Sequence, residues 1–210
     1  MPDMPNVFVV DHPIIRTKVT ELRDFATNHR QFRDLMDEVA MLMTYEVTRD
    51  YPTRTCVVRT PLEQSTGYVL ARKVTLVPVL RAGLGMADGV LAVLPDARLG
   101  HLGLYRDERT LEAIPYYQKL PPDIHDTEVL VIDPMLATGG SAIAAISYLK
   151  KAGCTNLKFM CLVASPEGIR ALSESHPDVQ IYCAAVDREL NEQGYILPGL
   201  GDAGDRIFGT

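Results

Sequence analysis

The segment Val129–Gly153, VLVIDPMLATGGSAIAAISYLKKAG, is the most informative about the fold. It contains a short apolar run, an aspartate, the loop Ala-Thr-Gly-Gly-Ser, and an alanine-rich segment closed by two lysines and a glycine. The apolar run predicts a buried strand, Val129–Asp133, and the segment after the loop predicts a helix, Ser141–Lys151. A strand that passes through a glycine turn into a helix is typical of a parallel α/β sheet.

The loop Asp133–Ser141 has the chemistry of a phosphate site beside a ribose site. A helix N-terminus offers unpaired N–H groups and partial positive charge, and glycines let the backbone approach an anion closely. Thr138 and Ser141 add hydroxyl donors, and Asp133 stands where a carboxylate can accept hydrogen bonds from two ribose hydroxyls. An ordinary capped turn would explain Thr-Gly-Gly-Ser alone; the strand and Asp133 before it favour a ribose-5-phosphate site.

The rest of the second half of the chain alternates in the same way. Strands are predicted at Val74–Leu80, Lys158–Ala164 and Val179–Val186, and helices at Ala82–Leu94 and from Pro166 to about Ser175, with Ser165 as N-cap. This alternation predicts a parallel sheet with helices on both faces and a ligand at the carboxyl ends of the strands. Pro78 predicts that its strand lies at an edge of the sheet or ends there.

Three further segments stand out. Gln31–Tyr45 has apolar residues at helical spacing, and its methionine-rich face predicts core or dimer packing. Arg106–Pro122 is polar and charged and predicts a long loop or a hairpin. Gly194–Thr210 is rich in glycine but too apolar at Tyr195–Leu197 for a free tail. Its Gly199–Gly204 matches G-x-G-x-x-G, yet the six residues that follow are too few for a dinucleotide-binding unit.

Composition indicates one globular domain over 1–210 and excludes several protein classes. The net charge of −6 argues against a nucleic-acid binder, which usually presents a basic face. We expect no signal peptide and no membrane segment, because no basic N-terminal region and no apolar stretch of about 20 residues occurs. The four widely spaced cysteines predict free thiols and a cytoplasmic location, and Cys161 and Cys183 are expected to be buried because they lie in apolar runs.

At this point the sequence resembles a known family. Val129–Ser141 resembles the phosphoribosyl pyrophosphate motif of the type I phosphoribosyltransferases, and the chain as a whole resembles their uracil-specific branch. The resemblance is carried from His12 to Arg206 by the segments HPIIRTKVTELRD, FRDLMDEVAMLMTYEVTRD, VPVLRAGLGM, LYRDE, DPMLATGGS and GYILPGLGDAGDR, the last two being specific. Where the wider family carries two adjacent acids, this chain has Asp133-Pro134, as is expected of the uracil branch, and so offers one carboxylate near the ribose.

The resemblance implies a fold and a set of site residues. The fold is a type I phosphoribosyltransferase-like α/β sheet with a mobile loop at about 106–122 and a hood formed by about 187–210 with the N-terminal helices. The phosphoribosyl pyrophosphate site comprises Arg81, Arg106, Asp133, Pro134, Met135, Leu136, Ala137, Thr138, Gly139, Gly140, Ser141 and Asp202. Uracil is held by Ile196, Gly201, Asp202 and Ala203, largely through main-chain groups. Asp133, Arg106 and Asp202 carry the catalytic roles, whereas Arg109 and Lys119 are better explained as solvated charges.

The resemblance also implies an activity and partners. The enzyme transfers the 5-phosphoribosyl group to N1 of uracil, giving UMP and pyrophosphate. Mg²⁺ enters with the diphosphate and has few or no protein ligands. A homodimer or larger homo-oligomer is implied; some members respond to GTP, but no residue here identifies a GTP site. Two alternatives stay open: a non-enzymatic regulator of the same fold that senses nucleotides and binds RNA, and a transferase for another base such as a purine.

Overall fold

The computed structural model describes residues 4–106 and 113–210. The strands are β1 Val7–Val9, β2 Thr53–Arg59, β3 Gln64–Leu70, β4 Val74–Leu80, β5 Arg98–Leu99, β6 His101–Arg106, β7 Ala113–Lys119, β8 Glu128–Ile132, β9 Met135–Leu136, β10 Leu157–Ala164, β11 Gln180–Val186, β12 Glu189–Leu190 and β13 Ile196–Leu197. The helices are α1 Pro13–Arg23, α2 His29–Val47, α3 Ala87–Val93, α4 Gly140–Lys151, α5 Pro166–Ser175 and α6 Ala203–Phe208, with 3-10 turns at Ala82–Met86 and Ile124–Asp126.

Within these residues nine strands form the central sheet, in the order β1-β11-β10-β8-β4-β6-β7, with β5 beside β4 and β9 beside β10. All pairs are parallel except the β6–β7 hairpin. The predicted parallel α/β sheet is therefore confirmed. Of the two alternatives for Arg106–Pro122, the strands of a hairpin are found; its tip, 107–112, and with it Arg109, lies outside the described residues.

Two apolar cores lie on the two faces of the sheet. Alternate residues of β8 separate between them: Leu130 and Ile132 pack with α1, α2 and α3, while Val129 and Val131 pack with α4 and α5. The methionine-rich face of α2 lies in the first core, where Met36 and Met43 are fully buried. Core packing is thus confirmed for the face predicted from Gln31–Tyr45.

Two sequence expectations about the segment around Pro78 are corrected. β4 lies in the interior of the sheet, so the edge-strand alternative is wrong. Proline is tolerated because the ladder on one side is divided between β5, which pairs at Thr75 and Leu76, and β6, which pairs at Val79 and Leu80. The single helix expected over Ala82–Leu94 is a 3-10 turn followed by α3, because Gly83 packs against the Ile132 carbonyl, where a Cβ would lie 2.5 Å away.

The sequence did not predict the β2–β3 hairpin. It pairs in register from Thr53↔Leu70 to Arg59↔Gln64 and forms a separate two-stranded sheet. Both of its faces are largely exposed, so its residues show no alternation of buried and polar positions that would reveal a strand.

Candidate functional site

The carboxyl ends of four neighbouring parallel strands gather the candidate site. β4 is followed by Arg81, β8 by Asp133, β10 by Ser165 and β11 by Asp187. The register pairs Ile132 with Pro78 on one side and with Met160 on the other, and the last residues of β10 and β11, Ala164 and Val186, pair with each other, so the residues after these strands lie at the same edge of the sheet. A ligand that spans several strand ends can therefore be held by several loops at once.

The loop Ala137–Ser141 has the backbone conformation of an anion site. Gly139 is the N-cap of α4 with φ of 83°, a left-handed conformation that glycine adopts without strain. Its carbonyl accepts a hydrogen bond from the Ile143 N–H at 2.9 Å, which starts the helix. The first N–H groups of α4 have no acceptor within the helix, and, among the described residues, the hydroxyls of Thr138 and Ser141 have no hydrogen-bond partner. These donors are available to a phosphate.

The back of this loop is held by the N-terminus of α5. The Ser165 N–H donates to the Leu136 carbonyl at 2.9 Å, and the Ser165 hydroxyl donates to the Ala137 carbonyl at 2.6 Å. The same hydroxyl accepts from the Gly168 N–H at 2.9 Å, as an N-cap does. Gly168 lies so close that a Cβ there would be 2.3 Å from the Ala137 carbonyl oxygen. The loop is thus fixed from behind, with its donors facing outward.

Asp133 is half-buried at the tip of β8. Burial raises the pKa of this carboxyl from 3.8 to about 7, and the long contact of 3.5 Å from the Met135 N–H to Oδ1 lowers it only in part. The carboxylate therefore lacks the hydrogen-bond donors it needs in its ionised form. Two ribose hydroxyls would supply them, which makes Asp133 a prepared acceptor for a sugar.

The segment predicted to contribute to the hood, about 187–210, begins directly after β11. β12 and β13 pair antiparallel, and Gly199 and Gly201 follow with φ of 62° and 79°. Asp202 is the N-cap of α6, and its Oδ1 accepts from the Asp205 N–H at 3.0 Å. The helix spans only Ala203–Phe208 and is capped by Gly209, which has φ of 71°.

A cleft of about 270 Å³ lies between the hood and the strand ends. Its lining comprises Ala82, Asp133, Met135, Ala137, Gly194, Tyr195, Ile196, Gly201, Asp202, Ala203 and Gly204. The predicted ribose acceptor and all four predicted uracil residues therefore share one cavity. Thr138 borders the same region, since a Cβ on Gly194 would lie 3.7 Å from its Cγ2.

The two predicted arginines follow adjacent strands. Arg81 is exposed after β4, with its guanidinium carbon 5.7 Å from the centroid of the Phe208 ring at the end of α6. Arg106 is the last residue of β6, beside the end of β4, and its side chain lies outside the described part of the structure. Lys119 ends β7 and is exposed, as expected of a solvated charge.

Two of the predicted loop residues point away from the cleft. Leu136 is 1% exposed and packs in the core beside α4, while the Pro134 carbonyl accepts from the N–H groups of Leu162 and Val163. Their contribution to a ligand site is to fix the loop. Ser165 was predicted as a helix cap, but its contact and that of Gly168 with the loop Ala137–Ser141 were not predicted, because Ser165 lies 28 positions from Ala137 along the chain.

No three His, Cys, Asp or Glu side chains of the described residues are placed to bind a metal together. The cleft itself is lined by two carboxylates, Asp133 and Asp202.

All four cysteines are free, and three of them are buried. Over the described ranges 4–106 and 113–210, no helix has the length and apolarity needed to cross a membrane.

Known proteins with similar sequences and structures identify the family of this chain. A family model described as uracil phosphoribosyltransferase matches residues 9–210. A uracil phosphoribosyltransferase of Halalkalibacterium halodurans is 57% identical over 208 residues, which are 99% of this chain and 100% of the relative. A solved protein of Aquifex aeolicus is 36% identical and superposes with a TM-score of 0.91 over 96% of this chain and 97% of its own. The adenine phosphoribosyl transferase of Trypanosoma brucei, 12% identical over 92% and 89% of the two chains, has a TM-score of 0.60 and shares the fold.

Proposed function

We propose a reaction for this chain from one premise: the chain belongs to the uracil phosphoribosyltransferase family. The reaction is transfer of the 5-phosphoribosyl group of phosphoribosyl pyrophosphate to N1 of uracil, giving UMP and pyrophosphate. The observation that carries it is that Asp133, Ile196, Gly201 and Ala203 line the same cleft.

In this proposal the loop at the start of α4 holds the 5-phosphate. The free N–H groups at Gly140 and Ser141, the hydroxyls of Thr138 and Ser141, and the positive end of the helix all face the same anion. Asp133 accepts hydrogen bonds from the ribose hydroxyls and places a negative charge beside the ring. That charge stabilises the oxocarbenium character that develops at C1 as the bond to pyrophosphate breaks.

The diphosphate lies towards Arg81, with Arg106 as the second proposed cation. Mg²⁺ fits a site of this composition as a companion of the diphosphate, with Asp133 and Asp202 as the carboxylates within the cleft that could hold it or its waters. When bound, the ion would neutralise charge on the leaving group. Asp202 is the candidate acceptor for the N1 proton, because its side chain lines the cleft. The Asp205 N–H holds Oδ1 and so orients the carboxylate, and Oδ2 is the proposed proton acceptor.

Uracil is recognised by main-chain groups, and glycine allows the backbone to come close enough to the base. Side chains with base-reading capacity are scarce in the hood, whereas N–H and C=O groups at Ile196, Gly201 and Ala203 can pair with O2, N3–H and O4 of a pyrimidine. Asp202 is proposed to contact both the base and the sugar. Since the hood residues form one wall and Asp133 another, the base and C1 of the ribose meet inside the cleft.

The test is a panel of bases with phosphoribosyl pyrophosphate and Mg²⁺, each run with and without GTP. We expect UMP and pyrophosphate in equal amounts from uracil, and little product from hypoxanthine, guanine or adenine. Product from a purine would overturn the base assignment. A salt-sensitive affinity for RNA without any transfer would support the regulator instead. A rate that depends on GTP would support GTP as an effector, which rests on the family resemblance alone.

Gly201→Val is expected to raise KM for uracil by about tenfold or more with a smaller effect on phosphoribosyl pyrophosphate. Gly201 has φ of 79°, which a β-branched residue adopts poorly, so the hood backbone must move. Gly153→Val is the matched control, because Gly153 has φ of 89° at the far end of α4. It should cost comparable stability without changing either KM. Equal loss of affinity for both substrates in Gly201→Val would count against the hood as the uracil site.

We further propose a cytoplasmic homodimer in which the β2–β3 hairpin packs against a second copy. Val57, Leu62 and Tyr68 are 77%, 95% and 72% exposed, and the hairpin forms a sheet of its own. Isolated two-stranded hairpins are marginally stable in water, and clustered exposed apolar side chains are typical of interfaces. The free thiols are consistent with a reducing compartment.

Tyr68→Asp combined with Val57→Asp is therefore expected to convert the dimer into a monomer. The added charges would be buried without partners at the contact, which strongly disfavours association. Light scattering coupled to size exclusion measures the mass, and circular dichroism checks the fold. Thr155→Asp, an exposed position in the loop before β10, should leave the mass unchanged. A wild-type chain that elutes as a monomer at micromolar concentration would refute the dimer.

A further inference from the structure

The loop of the hood is fixed by a buried ion pair that lies outside the cleft. Asp187, at the end of β11, and Arg23, the last residue of α1, form two hydrogen bonds: Nη2 to Oδ1 at 2.6 Å and Nη1 to Oδ2 at 2.7 Å. The side chain of Asp187 is 4% exposed and that of Arg23 is 24% exposed. Such fork-to-fork contacts fix orientation as well as charge.

Both members of the pair also bind the backbone of Gly199. Oδ2 of Asp187 accepts from the Gly199 N–H at 2.8 Å, and Nη1 of Arg23 donates to the Gly199 carbonyl at 2.7 Å. Gly199 in turn touches Ile196, because a Cβ there would lie 2.1 Å from the Ile196 carbonyl oxygen. Both polar groups of this one peptide position are thus held by the pair, next to the main chain that lines the uracil side of the cleft.

A second arginine fixes the following residue. Arg206 donates from Nη1 to the Leu200 carbonyl at 3.0 Å and from Nη2 to the Asp24 carbonyl at 2.6 Å. The Gly199 carbonyl therefore accepts from Arg23, which belongs to α1. The Leu200 carbonyl accepts from Arg206, which also binds Asp24 at the end of α1. Asp187 is itself held in place, since its N–H donates to the Ala164 carbonyl at 2.8 Å.

We infer that Arg23 and Asp187 are positioning residues for base selection: they fix the loop Ile196–Gly201 so that its main-chain groups meet uracil in one geometry. This rests on the function proposed above. Neither residue lines the cleft, and both act through Gly199. A flexible loop could still close on a base but would discriminate poorly between bases that present different donors and acceptors, since main-chain recognition depends on placement.

The experiment compares Arg23→Met with Arg98→Met. Arg98 forms a second partly buried arginine–aspartate pair, with Asp123 at 2.6 Å, on β5 and away from the cleft. Both variants should lose stability to a comparable degree. We expect Arg23→Met to raise KM for uracil by about tenfold and to lower the preference for uracil over cytosine, with KM for phosphoribosyl pyrophosphate within about twofold of wild type. Arg98→Met should keep both KM values and the base preference.

Two further variants keep the inference testable if Arg23→Met does not fold. Arg23→Lys retains the charge but replaces the planar fork with a single donor nitrogen, and should give an intermediate KM for uracil. Asp187→Asn retains an acceptor for the Gly199 N–H but loses the charge pair, and should shift the same parameter. Equal increases in both KM values, or an unchanged base preference in all three variants of the pair, would overturn the positioning role. Absence of transfer to uracil by the wild-type enzyme would instead overturn the proposed function.

Discussion

Asp133→Asn is expected to lower the turnover number by about 10²- to 10³-fold while leaving the fold intact. The amide cannot supply the negative charge that favours positive charge at C1 of the ribose, and it offers one acceptor oxygen to two sugar hydroxyls. Initial rates at saturating uracil and phosphoribosyl pyrophosphate measure the effect. Asp96→Asn, an exposed change of the same kind, should retain wild-type rates. A near-normal turnover number for Asp133→Asn would remove Asp133 from the ribose site.

The same substitution is expected to stabilise the protein at high pH. The carboxyl has a pKa of about 7 in the folded chain and 3.8 as its ordinary value. Between these values the folded state keeps a proton that the unfolded state has released, so stability falls as pH rises from about 4 to about 7. Asparagine removes that loss of stability. The loss is on the order of a few kcal/mol, because each unit of difference between the folded and unfolded pKa corresponds to about 1.4 kcal/mol.

Thermal unfolding of the free enzymes at about pH 4.5 and about pH 8, on either side of the window between the two pKa values, measures this linkage. We expect Asp133→Asn to unfold at a higher temperature than the wild type at the higher pH, and at a similar temperature at the lower pH. An equal difference at both values would mean that the burial of the carboxylate does not control its ionisation. Such a loss of stability is common at groups whose hydrogen-bonding partners are supplied only by a bound ligand.

Gly168→Ala is the second substitution with a large expected effect, about 100-fold on kcat/KM for phosphoribosyl pyrophosphate. The new methyl group would lie 2.3 Å from the Ala137 carbonyl oxygen and 2.6 Å from that of Leu136. Both contacts are with backbone, so the phosphate loop itself must move. The donors at the start of α4 then no longer converge on the 5-phosphate, and KM for phosphoribosyl pyrophosphate rises.

Gly89→Ala separates this effect from general packing damage. A Cβ on Gly89 would lie 2.1 Å from the Asp37 carbonyl oxygen, where α3 packs on α2. Both alanine variants should lose stability by roughly 1–3 kcal/mol through overpacking. Only Gly168→Ala should change the kinetics of phosphoribosyl pyrophosphate. If the two variants have the same kinetic constants, α5 does not position the loop.

Local sequence was sufficient for much of this protein. The elements β4, β8, β10, α4 and α5 lie within a residue or so of their predicted bounds, because their apolar runs and caps are local signals. The turn at Ala137–Ser141 was also predicted from local signals, since strand, glycine turn and helix N-terminus are contiguous in the chain. The β2–β3 hairpin was missed because both its faces are largely exposed, so the apolar pattern that marks a buried strand is absent.

The tertiary structure decided what holds the site in place. Ser165 and Gly168 meet Ala137 because β9 and β10 run parallel and side by side. Arg23 and Asp187 meet Gly199 because the end of α1, the end of β11 and the loop after β13 pack together. Arg23 and Gly199 are 176 positions apart, and no local pattern encodes such a pair. The raised pKa of Asp133 likewise depends on atoms from distant parts of the chain. The order of residues along the chain was enough to propose which groups bind a phosphoribosyl ligand. How firmly those groups are held depends on the packing of distant elements, because hydrogen bonds and burial depend on distance in space and not on separation along the chain.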